Sequence, residues 1–232
     1  MEERYSLHLQ NATKLWYHFG VYGQYPVSPG LGSLMWRHCG VPPGEEANGG
    51  YSVGQVEWDM TFGVAVASYD KATHEYSIVQ KINAELGKCY EVVVKSGIQG
   101  IDPTPIDDVP CDPQQIKLVN NTHGPLDIGF TLGGELFKVH HDVSGGEIVS
   151  YVVNPAVPHT FYVDVFRQVD IDEHLSSAIT VLPVKLKFEN GNNSAEVKVV
   201  EDSGTVKLTD PVYSSVQSTD QTDGAHLSLI HI

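Results

Sequence analysis

Apolar and polar residues alternate with a period of two along most of this chain, in short runs interrupted by Gly, Pro, Asn and Asp. That period sends successive side chains to opposite faces, as in a half-buried β-strand, and no 3.6-residue period persists long enough to suggest an amphipathic helix. The clearest stretch is 126–165, LDIGFTLGGELFKVHHDVSGGEIVSYVVNPAVPHTFYVDV, which predicts four consecutive antiparallel strands. Gly133-Gly134 supplies the positive-φ positions of a tight hairpin. Ser144-Gly145-Gly146 and Asn154-Pro155 mark the next turns.

The same reading extends to both sides. Tyr5 to Leu9 alternate, Asn11-Ala12-Thr13 turns the chain, and residues 15–22 follow as a second strand, predicting a hairpin with one buried face. Further strands are expected around Ser33-Leu34-Met35-Trp36, in two pieces across 55–68 that meet near Thr61, and at 75–82 and 89–95. Residues 184–188 should pair with 196–200 across Asn190-Gly191, with another strand at 205–208. Residues 97–113, GIQGIDPTPIDDVPCDP, carry four prolines and read as a crossover loop between two sheets, because proline lacks the ladder donor. A domain boundary there would leave each half with an uncovered apolar face.

The expectation is therefore an all-β protein: an antiparallel β-sandwich forming a single compact domain over residues 1–213. A polar tail at 214–226 is too poor in apolar residues to order, and LSLIHI at 227–232 resembles a translated sequencing adapter. A faint internal similarity at an offset of 109 aligns Leu9 with Leu118, Asn11 with Asn120, Thr13 with Thr122 and Gly20 with Gly129.

Charge narrows the partners. Among 232 residues, 29 acidic against 14 basic side chains give a formal net charge of −15, with no Lys or Arg cluster. Such a field repels phosphate backbones and anionic bilayers, so nucleic acid is not an expected partner. A protein or glycan ligand is, with a homo-oligomer as a further option. Cys39, Cys89 and Cys111 are an odd set without CxxC spacing, which argues for reduced thiols over a disulfide framework or zinc ribbon. No segment approaches the roughly 18 apolar residues of a spanning helix, and the N-terminus lacks a signal-peptide core. The expected location is the cytoplasm, or outside the cell by a route without an N-terminal signal peptide.

Few residues suggest chemistry. His140 and His141 are adjacent, so on a strand they point to opposite faces and cannot chelate one ion, and a metal site there would have to recruit His8, His18 or His159. Asp170, Asp172 and Glu173 offer several oxygens to calcium, without the glycine that makes a calcium loop's sharp turn. Ser144 lacks the flanking glycine of GxSxG, and Glu135 with Glu147 is a carboxylate pair of the sort any antiparallel sheet provides. No catalytic residue and no cofactor are expected. Trp16, Trp36 and Trp58 with Tyr25 form a candidate stacking surface for carbohydrate or lipid headgroups, against the competing reading that they are core. Asn-x-Ser/Thr triplets at Asn11, Asn120 and Asn192 read as turn residues. The loops at 41–50 and 167–177 are the expected working surface, the second as a short helix or acidic loop.

Phe19-Gly20-Val21-Tyr22-Gly23-Gln24-Tyr25-Pro26, then Ser33-Leu34-Met35-Trp36, Val41-Pro42-Pro43-Gly44 and Glu57-Trp58 resemble the opening of the RhiA-type rhizosphere-induced proteins. Ile128-Gly129-Phe130, Leu132-Gly133-Gly134 and Phe137-Lys138-Val139 are similar to that family's Gly-rich hairpin, although Glu135-Leu136 departs from its small residues. Pro158-His159-Thr160-Phe161-Tyr162 matches its proline-and-aromatic strand. The resemblance implies a non-enzymatic all-β binding protein of bacteria living with hosts or in communities, and it brings no active site. An aegerolysin-like membrane-active or lectin-like sandwich is the alternative, and a metal-dependent enzyme is a third reading.

Overall fold

The structure is a computed structural model and describes residues 4–22, 35–44, 50–72, 75–153, 160–167 and 183–215. Within them the alternating runs become β1 (Arg4–Asn11), β2 (Tyr17–Tyr22), β3 (Met35–Val41), β4 (Ser52–Asp59), β5 (Phe62–Asp70) and β6 (Glu75–Asn83). Next come β7 (Lys88–Lys95), β8 (Ile98–Ile106), β9 (Gln115–Asn120), β10 (Leu126–Leu132), β11 (Glu135–Val143) and β12 (Ile148–Val152). The last are β13 (Thr160–Arg167), β14 (Val184–Lys187), β15 (Ser194–Asp202), β16 (Thr205–Leu208) and β17 (Val212–Ser214). No helix among the described residues is long and apolar enough to cross a membrane.

The expected antiparallel β-sandwich architecture is present, and it occurs twice. One sandwich stacks the sheet β16-β15-β1-β4, with β17 beside β15, on the sheet β14-β13-β2-β3. Its core is formed by Leu7, Leu9, Tyr17, Phe19, Val163, Val165, Leu186 and Val197. The other stacks β8-β7-β9-β12 on β6-β5-β10-β11 around Val64, Tyr90, Ile116, Leu118, Ile128 and Phe130.

Adding eight to a strand number in the first half gives its counterpart in the second. The pair β1–β15 is parallel, and so is its counterpart β9–β7; the antiparallel pairs β1–β4 and β9–β12, β2–β3 and β10–β11, and β7–β8 and β15–β16 correspond likewise. The repeats have exchanged their second halves: β5–β8 complete β9–β12, while β13–β16 return to complete β1–β4.

The offset of 109 has an atomic counterpart at the two Asn-x-Thr corners. Asn11 is fully buried; its Nδ2 donates to the carbonyls of Leu15 (2.7 Å), Val41 (3.1 Å) and Pro42 (2.8 Å), and its Oδ1 accepts from the Thr13 N–H and hydroxyl. Asn120, also fully buried, donates to Gly124 (2.9 Å) and Val143 (2.7 Å) and accepts from the Thr122 N–H and hydroxyl. Both are turn residues, as the sequence suggests, each holding three segments together. The Ser96-Gly97 and Ser203-Gly204 turns match as well, with all four residues at positive φ.

Pairing between sequence neighbours is where the expectations need correction. Strands β1 and β2 are not a hairpin, since they lie in opposite sheets of one sandwich. Of the four strands in 126–165, only β10 and β11 pair with each other, across Gly133-Gly134 at φ 55° and 81°. Strand β12 pairs with β9, and β13 with β2 and β14. Asn190-Gly191 adopts the predicted positive-φ turn but joins two sheets, so β14 and β15 do not pair. The cause is common to these cases: both flanking strands carry core residues, and a turn that carries the chain across the core lets them meet from opposite sides.

Residues 97–113 are not a crossover loop between sheets. Strand β8 occupies 98–106 at an edge, and the connection to β9 stays within the same sheet. Pro103 and Pro105 are tolerated because the β7–β8 register shifts between Cys89↔Ile106 and Glu91↔Asp102, leaving the ladder irregular at the prolines. Strand β17 also crosses the expected boundary at 213, since Ser214 ends it opposite Ser194. The rest of the polar tail, from 216, and LSLIHI lie outside the described residues.

Candidate functional site

A chain of rings joins the two sandwiches. Trp36 stacks on Phe161 (5.2 Å, 15°) and meets Trp58 (5.2 Å) and Phe137 (5.8 Å) edge-on, and Phe137 meets Tyr151 at 5.5 Å. Tyr151 in turn packs on Phe62 and on Phe130 of the second core, and its burial pushes its hydroxyl up to about 12. The β10–β11 tip enters the first sandwich. Leu132 belongs to the first core, its carbonyl accepts the Trp36 indole N–H at 3.0 Å, and the Gly133 carbonyl accepts from Arg37 at 3.1 Å. A side chain on Gly133 would sit 3.3 Å from both the Arg37 guanidinium and the Asp59 carbonyl, a tight fit, and the φ of 55° favours glycine there.

Trp36 and Trp58 are thus core residues, each 4% exposed and unavailable to stack on a ligand. The reason is their position: each strand directs its tryptophan into the one space where the two sandwiches meet. Trp16 differs at 41% exposed, beside Leu15 at 42% on the corner after β1. Tyr25, Asp170, Asp172, Glu173 and His159 lie outside the described residues, as does nearly all of loop 167–177. Of loop 41–50, Val41 is buried and its carbonyl is held by Asn11.

A cleft of about 470 Å³ opens beside this seam, at the end of the second sandwich. Its floor comes from the β4–β5 link and the start of β5, namely Met60, Thr61 and Phe62. Met60 packs against the first core, and Phe62 against both. One wall is the end of β6 and its loop, Asn83, Ala84 and Glu85; the other is Tyr90 with Pro103 and Pro105.

The polar frame of the cleft is already engaged. The Thr61 N–H donates to Asp59 Oδ1 (2.8 Å), Ala84 N–H to the Phe62 carbonyl (2.9 Å), and Glu85 N–H to the Tyr90 hydroxyl (3.0 Å). Hydrogen bonds from the Thr61 hydroxyl and N–H hold the Asp59 carboxyl below its usual range. Neither the Glu85 carboxylate nor the Asn83 amide has a partner among the described residues, and the lining contains no Lys, Arg or His. Sequence reading missed this site because its residues come from three separated segments. One local signal was visible: Pro103 and Pro105, two apart, fit one side of an extended strand.

The histidine pair separates as expected. His140 lies edge-on to core Phe130 at 6.1 Å, whereas His141 presents Nδ1 to Asp127 Oδ1 at 2.6 Å and Nε2 to Asp142 Oδ2 at 3.3 Å. Burial, and to a lesser extent Lys138, holds His140 below the usual histidine range. Asp127, His141 and Asp142 bring three ligand atoms within 4.8 Å of one another, in a set expected by neither metal reading of the sequence. A register shift between Leu126 and Ile128, with Asp142 at φ 52°, makes this possible, because it puts His141 and Asp142 together opposite Asp127. The contacts are internally satisfied, since Asp127 Oδ1 also accepts the Asp142 N–H at 3.0 Å.

No family model, curated protein or solved structure matches this chain.

Proposed function

We propose that this protein is a non-enzymatic binding protein whose working site is the cleft between Phe62, Glu85 and Pro103. The observation that supports the reading is the cleft itself: about 470 Å³, with a lining in which apolar and polar surface are both present. Concave, largely preformed sites of this size suit small molecules. The aromatic seam beside it is closely packed, which supports a lining formed before binding. A binding role also agrees with what the RhiA-type resemblance implies.

The test is a fragment screen by amide NMR on the full chain. Hits that move the signals of Thr61, Asn83, Ala84 and Glu85 together, and that weaken in Phe62→Ala, support the reading. A screen whose hits all map elsewhere, or that leaves those signals unmoved, overturns it.

A lectin-like or membrane-active reading rests on a different observation, the exposed Leu15-Trp16 pair. It requires Trp16→Ala to abolish binding to liposomes or to a glycan array. Trp16 is the only strongly exposed Trp or Phe among the described residues, which gives this surface less to work with than a cluster would provide.

A further inference from the structure

We infer that the cleft selects an apolar-bodied molecule carrying a protonated amine, an inference that rests on the cleft being the binding site. The apolar body follows from the walls: the part-exposed Phe62 ring and the two proline rings offer flat apolar contact surface. The sign of the charge follows from the distribution of donors and acceptors. The backbone N–H groups of Thr61, Ala84 and Glu85 are all engaged inside the protein, and Pro103 and Pro105 have none to give.

What is left at the cleft is mostly acceptor. The Glu85 carboxylate and the Asn83 amide carbonyl are without partners among the described residues, and no basic side chain lines the cleft to neutralise Glu85. A ligand carboxylate would meet the Asn83 amide and the Tyr90 O–H as donors but would be repelled by Glu85. An ammonium group would find a carboxylate and an amide oxygen, with the part-exposed ring of Phe62 nearby. The field of a chain of net charge −15 raises the local concentration of such a cation.

The experiment titrates the full chain with 2-phenylethylamine and with 3-phenylpropionate, probes of nearly the same body and opposite charge, reading amide shifts at pH 7 and low salt. Expected is an affinity about tenfold higher for the amine, with shifts centred on Thr61, Asn83 and Glu85, falling to within about threefold in Glu85→Gln. Methylammonium, which lacks the apolar body, should not produce this pattern.

Equal binding of the two probes, or preference for the acid, overturns the charge assignment while leaving the cleft as a binding site. Amine shifts scattered over the acidic surface overturn it as well. If neither probe nor any neutral fragment moves the cleft signals, the site reading falls together with it.

Discussion

The indole N–H of Trp36 on β3 donates to the carbonyl oxygen of Leu132 on β10 across 3.0 Å, a buried bond that ties one sandwich to the other. Trp36→Phe keeps most of the ring packing but leaves that carbonyl without its donor. The expected loss is about 1–3 kcal/mol in urea unfolding, and Trp36→Ala should lose about 3–5 kcal/mol. A Phe variant as stable as the parent would mean that the bond contributes nothing to joining the units.

The Asn-x-Thr corners make a paired prediction. Asn120→Ala takes the side-chain donor from the Val143 carbonyl and leaves Gly124 only the Thr122 hydroxyl, and Asn11→Ala takes it from Val41 and Pro42 and leaves Leu15 only the Thr13 hydroxyl. Each should lower stability by roughly 2–3 kcal/mol. Asp at either site should be worse than Ala, since it turns a negative oxygen toward carbonyls that need a donor. The midpoints of chemical unfolding give the ranking.

Asp164 lies on β13 opposite Gly20, only 6% exposed, and burial raises its carboxyl to about 6. An unfolded aspartate titrates near 3.9, so the folded state holds the proton more tightly. Its contribution is therefore fully present below about pH 4 and is lost as the pH rises through 6, a swing of roughly 2–3 kcal/mol. Asp164→Asn should remove this part of the pH dependence and be more stable than the parent at pH 8. Unfolding curves at pH 4.5 and 8 for both chains provide the check, and parallel pH profiles would contradict the assignment.

Cys89 is buried, and desolvation, with Cys111 as a smaller influence, pushes its thiol up to about 11. Native protein at pH 8 should leave it unalkylated by iodoacetamide while partly exposed Cys39 reacts, and denaturant should expose it. Peptide mass spectrometry reads the difference directly.

The sequence made the strands and several turns legible because both depend on local chemistry. Alternation at Tyr5-Leu7-Leu9 marks a face, and Gly133-Gly134 and Asn190-Gly191 admit the positive φ that their turns use. Which strand pairs with which depends on residues far apart in the chain. Nothing near Leu9 indicates that Val197 is its parallel neighbour. The exchange of halves deepened the problem, because it replaces the nearest pairing by a remote one at β4–β5 and at β12–β13. The tryptophans were ambiguous for a related reason, as a ring on an alternating strand is core or surface according to what the next sandwich places over it. Beyond the spacing of Pro103 and Pro105 the cleft left no local trace, because Met60, Glu85 and Pro105 become neighbours only after the sheets have stacked.

The reciprocal exchange also sets a schedule for biosynthesis. Strands β1 to β4 leave the ribosome first, yet the strands that complete their two sheets, β13 to β16, begin at Thr160. At about 5–20 residues per second, the stretch from Asp59 to Thr160 takes roughly 5–20 s to synthesise. For that interval Trp36 and Trp58 belong to two-stranded ribbons with one apolar side uncovered, and by its end β5 to β12 have been made and can close the second sandwich. The nascent chain is then a finished C-terminal core trailing an unfinished N-terminal one, and that window is when chaperones, or a neighbouring copy on the same message, have access to the unpaired edges of β1 and β2.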